Sequence, residues 1–464
     1  MTDQSYDIAI IGGGIGGYTA AIMLAEQNQK VCIIEKCFLG GTCLNVGCIP
    51  TKAYLSIAKK FSTIQKAKIF GIECNELHID YQKIYNFKEN AVQSIRTGLT
   101  NLIKTNKIEI IHGKAVFEND QTLLINNGEK ISAKKIIIAT GSSPKNLPNA
   151  PFDHQKIYSS TSILQMQDLP KSLAIIGGGY IGCEFANFYA QLGVKVTIIE
   201  ALDRIIQTEP ETISKALESS FKKKDIDIYT KTICEKIEKN NDSVKLTLNN
   251  GKIIESEKLL VAIGRDYNSS ELNLEKVNVQ IDEKKAIITD EYMKTSNPNI
   301  FAVGDINGKY LLAHVASHEG IIAAKNILGH LEKMDYSAIP SAIFTTPEIA
   351  SVGICYEKAK SICNAGKATF PNLALGKAKA ENTTEGFAEI VYDKDSHQLL
   401  GAHIIGENAS NLIAEMTLAL QHQMKLEDIA KTIHTHPTNS EIWHESALMG
   451  LLTPLHFPPK MNVL

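Results

Sequence analysis

Two cysteines, Cys43 and Cys48, stand five residues apart in the stretch "GGTCLNVGCIPTK" at 40–52. Thiols at this spacing could hold a metal, form a reversible disulfide, or simply be buried side by side. A structural zinc site takes four ligands, usually as two close pairs, and no second Cys/His pair of matching spacing lies nearby. Spacing alone does not select a disulfide, because Cys32 and Cys37 share it. Those two fall in and just beyond the apolar run "VCIIE", where an extended chain separates them by more than about 10 Å, too far to bridge. The setting of Cys43 and Cys48 differs. Five residues of regular helix rise about 7.5 Å, beyond the roughly 7 Å limit for a bridged pair. A disulfide here therefore needs a distorted turn, and Gly47 supplies the freedom for one. Pro50 removes a backbone donor just after it. Lys52 is a nearby cation of the kind that favours a thiolate. The context favours a redox-active pair.

A second candidate lies near the end of the chain, in "HTHPTNSE" at 434–441. His436 is a residue type that carries protons near neutral pH, and Glu441 is a carboxylate that could orient it. A plainer reading stands beside this one. Thr438-x-x-Glu441 is also a capping box, and a histidine held extended before Pro437 can be an ordinary loop residue. The local sequence leaves both open.

Such groups need elements to hold them. Residues 7–17 read "DIAIIGGGIGG" and residues 172–182 read "SLAIIGGGYIG". Each is a buried-type strand entering G-x-G-x-x-G, with Gly12, Gly14 and Gly17 in one copy and Gly177, Gly179 and Gly182 in the other. Each continues into a helix-like stretch and a second strand that ends in an acid, Glu35 or Glu200, 23 residues after the first glycine in both copies. The first glycine makes a tight turn, the second admits a pyrophosphate, and the third lets helix and strand pack; the acid takes a ribose hydroxyl. One such motif is weak evidence, but the whole unit twice implies two bound dinucleotides. A carboxylate at 200 with no arginine immediately after it favours NAD over NADP.

The rest of the composition excludes other classes. The chain has 464 residues, enough for more than one domain, with 44 % hydrophobic and 21 % charged residues. A formal net charge of −3 gives no electrostatic case for nucleic acid or an anionic membrane. The densest basic run, "FKKK" at 221–224, reads as a solvated helix face. No apolar run approaches the roughly 20 residues of a membrane helix, and the start of the sequence has no signal-peptide pattern. A cytoplasmic protein is the expectation. In that compartment disulfides are more often catalytic than structural, and nine scattered cysteines do not resemble a secreted framework.

"GGTCLNVGCIPTK" with two dinucleotide-binding units resembles the flavoprotein disulfide reductases, and within them the dihydrolipoamide dehydrogenase branch. The same resemblance runs through "ATGSSP" at 139–144, "AIGR" at 262–265, "AVGDINGKYLLAH" at 302–314, "FTTPEIASVG" at 344–353, "LGAHIIG" at 400–406 and "HTHPTNSE". It implies an α/β fold with two Rossmann-like domains, for FAD and NAD, and a C-terminal α+β dimerisation domain. The implied division is 1–145 for the first FAD segment and 146–265 for the NAD domain. Residues 266–335 would form a central domain completing the FAD site, and 336–464 the interface domain. Within the last, "FAEIVYDKDSHQLLGAHIIG" reads as a hairpin and "ASNLIAEMTLALQHQ" as an amphipathic helix.

Carried over by position, the resemblance places FAD on Gly12, Gly14, Gly17, Glu35, Lys36, Gly41, Thr42, Lys52 and Ala115. It adds Thr140, Gly141 and Ser142, with Gly304, Asp305, Leu311, Leu312, Ala313 and His314 closing from later in the chain. NAD would take Gly177, Gly179, Tyr180, Ile181, Gly182, Glu184, Glu200 and Gly264, and Arg265 would be a further cofactor-binding residue. Lys52 would pair with Glu184. Cys43 would meet the substrate thiol, Cys48 would face the flavin, and His436, oriented by Glu441, would act as acid/base from the partner subunit of a homodimer. His434 would be structural. The implied activity is oxidation of protein-bound dihydrolipoamide to lipoamide with NAD+, as the E3 component of 2-oxo-acid dehydrogenase or glycine cleavage complexes, with lipoyl domains as partners. No cysteine follows Cys363, so a C-terminal redox pair is absent. A reductase of glutathione-like thiols is the nearest alternative; Glu200 speaks against it, since most such enzymes use NADPH.

Overall fold

A computed structural model describes residues 4–74, 76–126 and 128–458. Its first sheet is built on the strand Gln4–Ile11, flanked in parallel by Val31–Glu35 and Glu129–Ile138. Glu109–His112 extends the sheet beyond Val31–Glu35, and Ile300–Ala302 pairs in parallel with the end of Glu129–Ile138. Ala115–Asn119 and Thr122–Ile125 add an antiparallel hairpin at the other edge. Every residue of Val31–Glu35 is buried, as expected for a parallel strand covered on both faces. The helices Ile15–Glu26 and Ala313–Ile327 pack together so closely that a side chain at Gly320 would stand 2.4 Å from the Gly16 carbonyl oxygen. A late segment of the chain is thus fixed beside the first glycine motif.

The second sheet is parallel throughout, in the order Asp227–Tyr229, Lys195–Ile199, Ser172–Ile176, Lys258–Val261, Ile157–Ser159. Its helix Tyr180–Gln191 is buried on nearly every side, because it lies between its own sheet and the helix Cys48–Gln65 of the first unit. Tyr54 stacks on Phe188 across that contact, with ring centroids 4.7 Å apart. A two-stranded ladder, Ser142–Pro144 against Arg265–Tyr267, ties the two units where the chain leaves and re-enters the first.

The third sheet is antiparallel, in the order Ser341–Ile343, Glu348–Gly353, Leu399–Gly406, Phe387–Asp393, Ala365–Pro371. The expected hairpin is Phe387–Asp393 with Leu399–Gly406, and the expected amphipathic helix is Ala409–Gln421. The helix Glu441–Gly450 seals this layer through Trp443, which is fully buried and donates its Nε1–H to the Leu412 carbonyl at 3.0 Å. The architecture is α/β with two Rossmann-like units and an α+β C-terminal layer.

One expectation fails. The run 221–224 is not a solvated face throughout. Lys222 and Lys223 are exposed, but Lys224 lies past the end of the helix Glu211–Lys222 and turns inward. Its Nζ donates to the Thr346 carbonyl and, at 3.3 Å, to Asn187 Oδ1. Because the helix ends at Lys222, the Lys224 side chain is released from the solvated face expected for the run.

Candidate active site

The two glycine motifs fold as near-copies. Gly12 and Gly177 adopt φ +107° and +109°, conformations that favour glycine. A side chain at Gly17 would stand 2.1 Å from the Gly12 carbonyl oxygen, and one at Gly182 would stand 2.0 Å from that of Gly177. The acids close each loop. Glu35 accepts from Gly13 N at 2.8 Å and Cys37 N at 2.8 Å; Glu200 accepts from Gly178 N at 2.5 Å and Leu202 N at 2.8 Å. Each carboxylate oxygen keeps a lone pair for a ribose hydroxyl. The acids therefore hold the glycine turns, a role the spacing did not show.

The fit to two dinucleotides can be tested on the space around the motifs. The helices Ile15–Glu26 and Tyr180–Gln191 begin at Gly14 and Gly179 with no side chain capping them, so free N–H groups and the positive helix end face outward. A methyl group at Gly179 would touch nothing within 4 Å, and one at Gly14 only the Gly41 Cα at 3.8 Å. Both second glycines therefore line open cradles, and the residues present fit pyrophosphate groups.

The redox loop abuts the first cradle. A side chain at Gly41 would stand 2.7 Å from Gly14 Cα. Cys43 sits in the short helix Gly41–Val46 and Cys48 begins the helix Cys48–Gln65. Between them Gly47, at φ −147° and ψ −110°, breaks the helical path, and a side chain there would stand 2.8 Å from the Thr42 carbonyl oxygen. This is the distorted turn that the five-residue spacing demanded. Both thiols are free and half-buried. The interaction of the two thiols raises the Cys43 pKa and lowers that of Cys48. Burial opposes that lowering and Lys52 assists it. Cys48 is thus the more acidic of the two thiols.

Lys52 lies one helical turn from Cys48. Its Nζ donates to both oxygens of Glu184 at 2.9 Å and lies 4.2 Å from the centre of the Phe344 ring. Glu184 is buried and also accepts from Phe344 N at 2.9 Å. The charge match read from sequence is a direct ion pair.

Ser142, Arg265 and Asp305 form one cluster. Arg265 Nε donates to Ser142 Oγ at 2.6 Å and its Nη2 to the Ser142 carbonyl at 2.7 Å; Ser142 Oγ donates to Asp305, whose Oδ2 is 3.7 Å from Arg265 Nε. The Arg265 side chain thus serves the 140–142 and 304–305 segments of the first unit, although it follows the second. Thr140 and Gly141 are held by Asn268, through its side chain and backbone. Gly264, at φ +121°, has open space where a side chain would be. Gly304 donates its N–H to the buried Glu319 at 2.6 Å. Leu311, Leu312 and Ala313 lie half-buried at the start of the helix Ala313–Ile327, while the exposed His314 is hydrogen-bonded to the Pro340 carbonyl. Ala115 is buried at a strand start, Lys36 and Thr42 are exposed, and Tyr180 and Ile181 open the second motif helix, Tyr180 exposed.

His436 and Glu441 are joined: Nδ1 is 2.8 Å from Glu441 Oε1, and Glu441 Oε2 accepts from Thr438 N at 2.9 Å. The capping box does not form, because the helix begins at Glu441 itself with Ser440 as its N-cap; one Glu441 oxygen braces the preceding turn and the other the imidazole. Burial alone would raise the Glu441 pKa, but the Thr438 N–H and His436 outweigh it and lower it. The His436 side chain is 78 % exposed, and its Nε2 makes no hydrogen bond to the described residues. His434 is instead buried, with Nε2 2.7 Å from Glu415.

Several supporting residues were not singled out from the sequence. Asn45, inside the redox stretch, donates to the Leu39 and Gly41 carbonyls and accepts from Arg96 Nε at 2.8 Å. Arg96 carried no local signal, because it comes from a different helix. Glu319 did carry one: an acid amid the apolar "EGIIAAKNI" run implies a buried partner.

Residues 6–320 match the family described as "Pyridine nucleotide-disulphide oxidoreductase", and residues 339–447 match its dimerisation domain. The chain is 47 % identical to the dihydrolipoyl dehydrogenase of Chlamydia pneumoniae, over 98 % of this chain and 99 % of that protein. It is 42 % identical to the dihydrolipoyl dehydrogenase of Geobacillus stearothermophilus, over 97 % of each. The fold is similar to a crystal structure of LpdA from Mycobacterium tuberculosis, with a TM-score of 0.89 and 25 % identity, covering 96 % of this chain and 99 % of that one. With two dinucleotide cradles, a cysteine pair beside the first and a match over most of its length, the chain belongs to the pyridine nucleotide-disulphide oxidoreductase family of enzymes.

Proposed function

We propose that this enzyme oxidises protein-bound dihydrolipoamide to lipoamide with NAD+ through Cys43, Cys48 and FAD. The observation that carries the reading is the cysteine pair on a broken helix, with a lysine–glutamate pair one turn on and an open dinucleotide cradle at its side. FAD would lie on Gly12, Gly14 and Gly17, with Glu35 at its ribose and the Ser142–Arg265–Asp305 cluster along its length. NAD would lie on Gly177, Gly179 and Gly182 with Glu200 at its ribose.

The protein's own groups supply the thiol chemistry. His436 Nε2 takes the proton of a substrate thiol, and Glu441 supports the imidazolium through Nδ1. The substrate thiolate attacks Cys43 Sγ, the Cys43–Cys48 bond breaks, and Cys48 leaves as a thiolate beside Lys52. The second substrate thiol attacks the mixed disulfide, lipoamide leaves, and Cys43 is left reduced. FAD held on Gly12, Gly14 and Gly17 would supply the two-electron acceptor for the reduced pair and the hydride donor for NAD+. The exposed Nε2 of His436 faces a partner subunit in this account, so the working unit is a homodimer; the dimerisation-domain match supports it. The partners are lipoyl domains of 2-oxo-acid dehydrogenase or glycine cleavage complexes, and the compartment is the cytoplasm. Among the described residues no helix is long and apolar enough to cross a membrane. The units divide at 1–145, 146–265, 266–335 and 336–464.

The test is steady-state turnover of dihydrolipoamide with NAD+ and with NADP+, for wild type and Cys48→Ser. Turnover with NAD+ that disappears in Cys48→Ser is expected. NADPH-driven reduction of glutathione disulfide, with no dihydrolipoamide turnover, would overturn the reading.

A further inference from the structure

Lys52 is the cation that acts on Cys48, and its position is set by two groups, the Glu184 carboxylate and the Phe344 ring. Both belong to one junction. Glu184 and Asn187 stand three residues apart on the helix Tyr180–Gln191 and so share a face. They grip alternate donors of one turn: Glu184 Oε1 accepts from Phe344 N at 2.9 Å, and Asn187 Oδ1 accepts from Thr346 N at 3.2 Å. Asn187 is 1 % exposed. Lys224 completes the grip by donating to the Thr346 carbonyl and to the same Asn187 oxygen. Within the turn Thr345 Oγ1 donates to the Pro347 carbonyl at 2.7 Å. The remaining charges acting on Lys224 are Glu385 and Lys66. Helix 180–191, the chain after helix 211–222 and the turn 344–347 therefore converge on the two groups that seat Lys52.

We propose that Asn187 and Lys224 are positioning residues for the redox pair: they clamp the turn 344–347, and the clamped turn holds Lys52 at its place one helical turn from Cys48. The inference rests on the redox reading of the cysteines. Among the described residues neither side chain hydrogen-bonds Cys43 or Cys48; each acts through Phe344, Glu184 and Lys52. A buried amide that holds a turn could also be purely structural, and the two roles separate in what they move. A structural role changes stability alone. A positioning role changes the pH at which the Cys48 thiolate forms, because withdrawing a cation from a half-buried thiolate raises its pKa.

The experiment uses FAD-loaded protein reduced with dithiothreitol, a general dithiol, so it does not depend on which disulfide is the physiological substrate. The readout is the long-wavelength absorbance that a thiolate gives beside oxidised flavin, titrated against pH. Lys224→Gln and Asn187→Ala are each expected to move the midpoint upward by about one pH unit relative to wild type, and Lys224→Arg, which keeps charge and donors, is expected to restore it. If Asn187→Ala does not yield folded protein, Lys224→Gln at the half-exposed edge of the clamp decides the question. A lowered melting temperature with an unmoved midpoint in Lys224→Gln would overturn the proposal, as would a wild type with no titrating band.

Discussion

At the scale of single residues, the account turns on which groups bear charge. Glu441 is favoured as the carboxylate, because the Thr438 N–H and the His436 ring lower its pKa against the opposing effect of burial. Glu441→Gln keeps an oxygen for the Thr438 N–H and removes the charge behind Nδ1. It is therefore expected to lower kcat/KM for dihydrolipoamide about 100-fold while leaving the melting temperature close to that of wild type, checked by steady-state kinetics beside calorimetry. The cysteine pair was legible in sequence because glycine, proline and lysine crowd it. The choice at Glu441 was not, because a capping box and an orienting carboxylate need the same residue at the same spacing. Lys224 was misread for a related reason: helical periodicity describes a side chain only while the helix continues.

At the scale of elements, the two glycine motifs make a prediction that separates folding from binding. A methyl group at Gly179 meets open space, whereas one at Gly182 meets the Gly177 carbonyl oxygen at 2.0 Å. Gly179→Ala is expected to leave the melting temperature within about 2 °C of wild type, since surface changes that create no clash usually cost under 0.5 kcal/mol. It should raise KM for NAD+ roughly tenfold or more by obstructing the pyrophosphate. Gly182→Ala is expected to lower the melting temperature clearly. The motif sequence announced both units, since strand, glycines, helix and acid recur at one interval. It did not announce that each acid ties down its own glycine turn. Those bonds run from carboxylates to backbone N–H groups, which every residue but proline has, so residue identity carries no trace of them.

At the scale of the whole molecule, His436 and the cysteines lie in separate units, and the histidine's free nitrogen is exposed. If each site takes its histidine from the partner subunit, Cys48→Ser and His436→Gln complement one another. In a hybrid dimer both lesions fall in one site and the other site is intact. A purified hybrid is expected to recover roughly half of wild-type activity, whereas each parent dimer is inactive or nearly so; differently tagged subunits allow the assay. This arrangement was implied only by resemblance. Contacts that cross from one element or unit to another, such as Arg96 on Asn45 or Lys224 on Thr346, leave no periodic mark in either partner.

The most direct measurement of the central claim is the redox state of the pair itself. FAD-loaded protein is treated anaerobically with dihydrolipoamide, then with NAD+, and free thiols are alkylated and mapped by peptide mass spectrometry at each stage. The account predicts that Cys43 and Cys48 are protected at the start, become labelled after dihydrolipoamide, and are protected again after NAD+, while labelling of Cys37 and Cys74, both exposed, stays constant. Labelling of Cys43 and Cys48 that NAD+ does not reverse would contradict it.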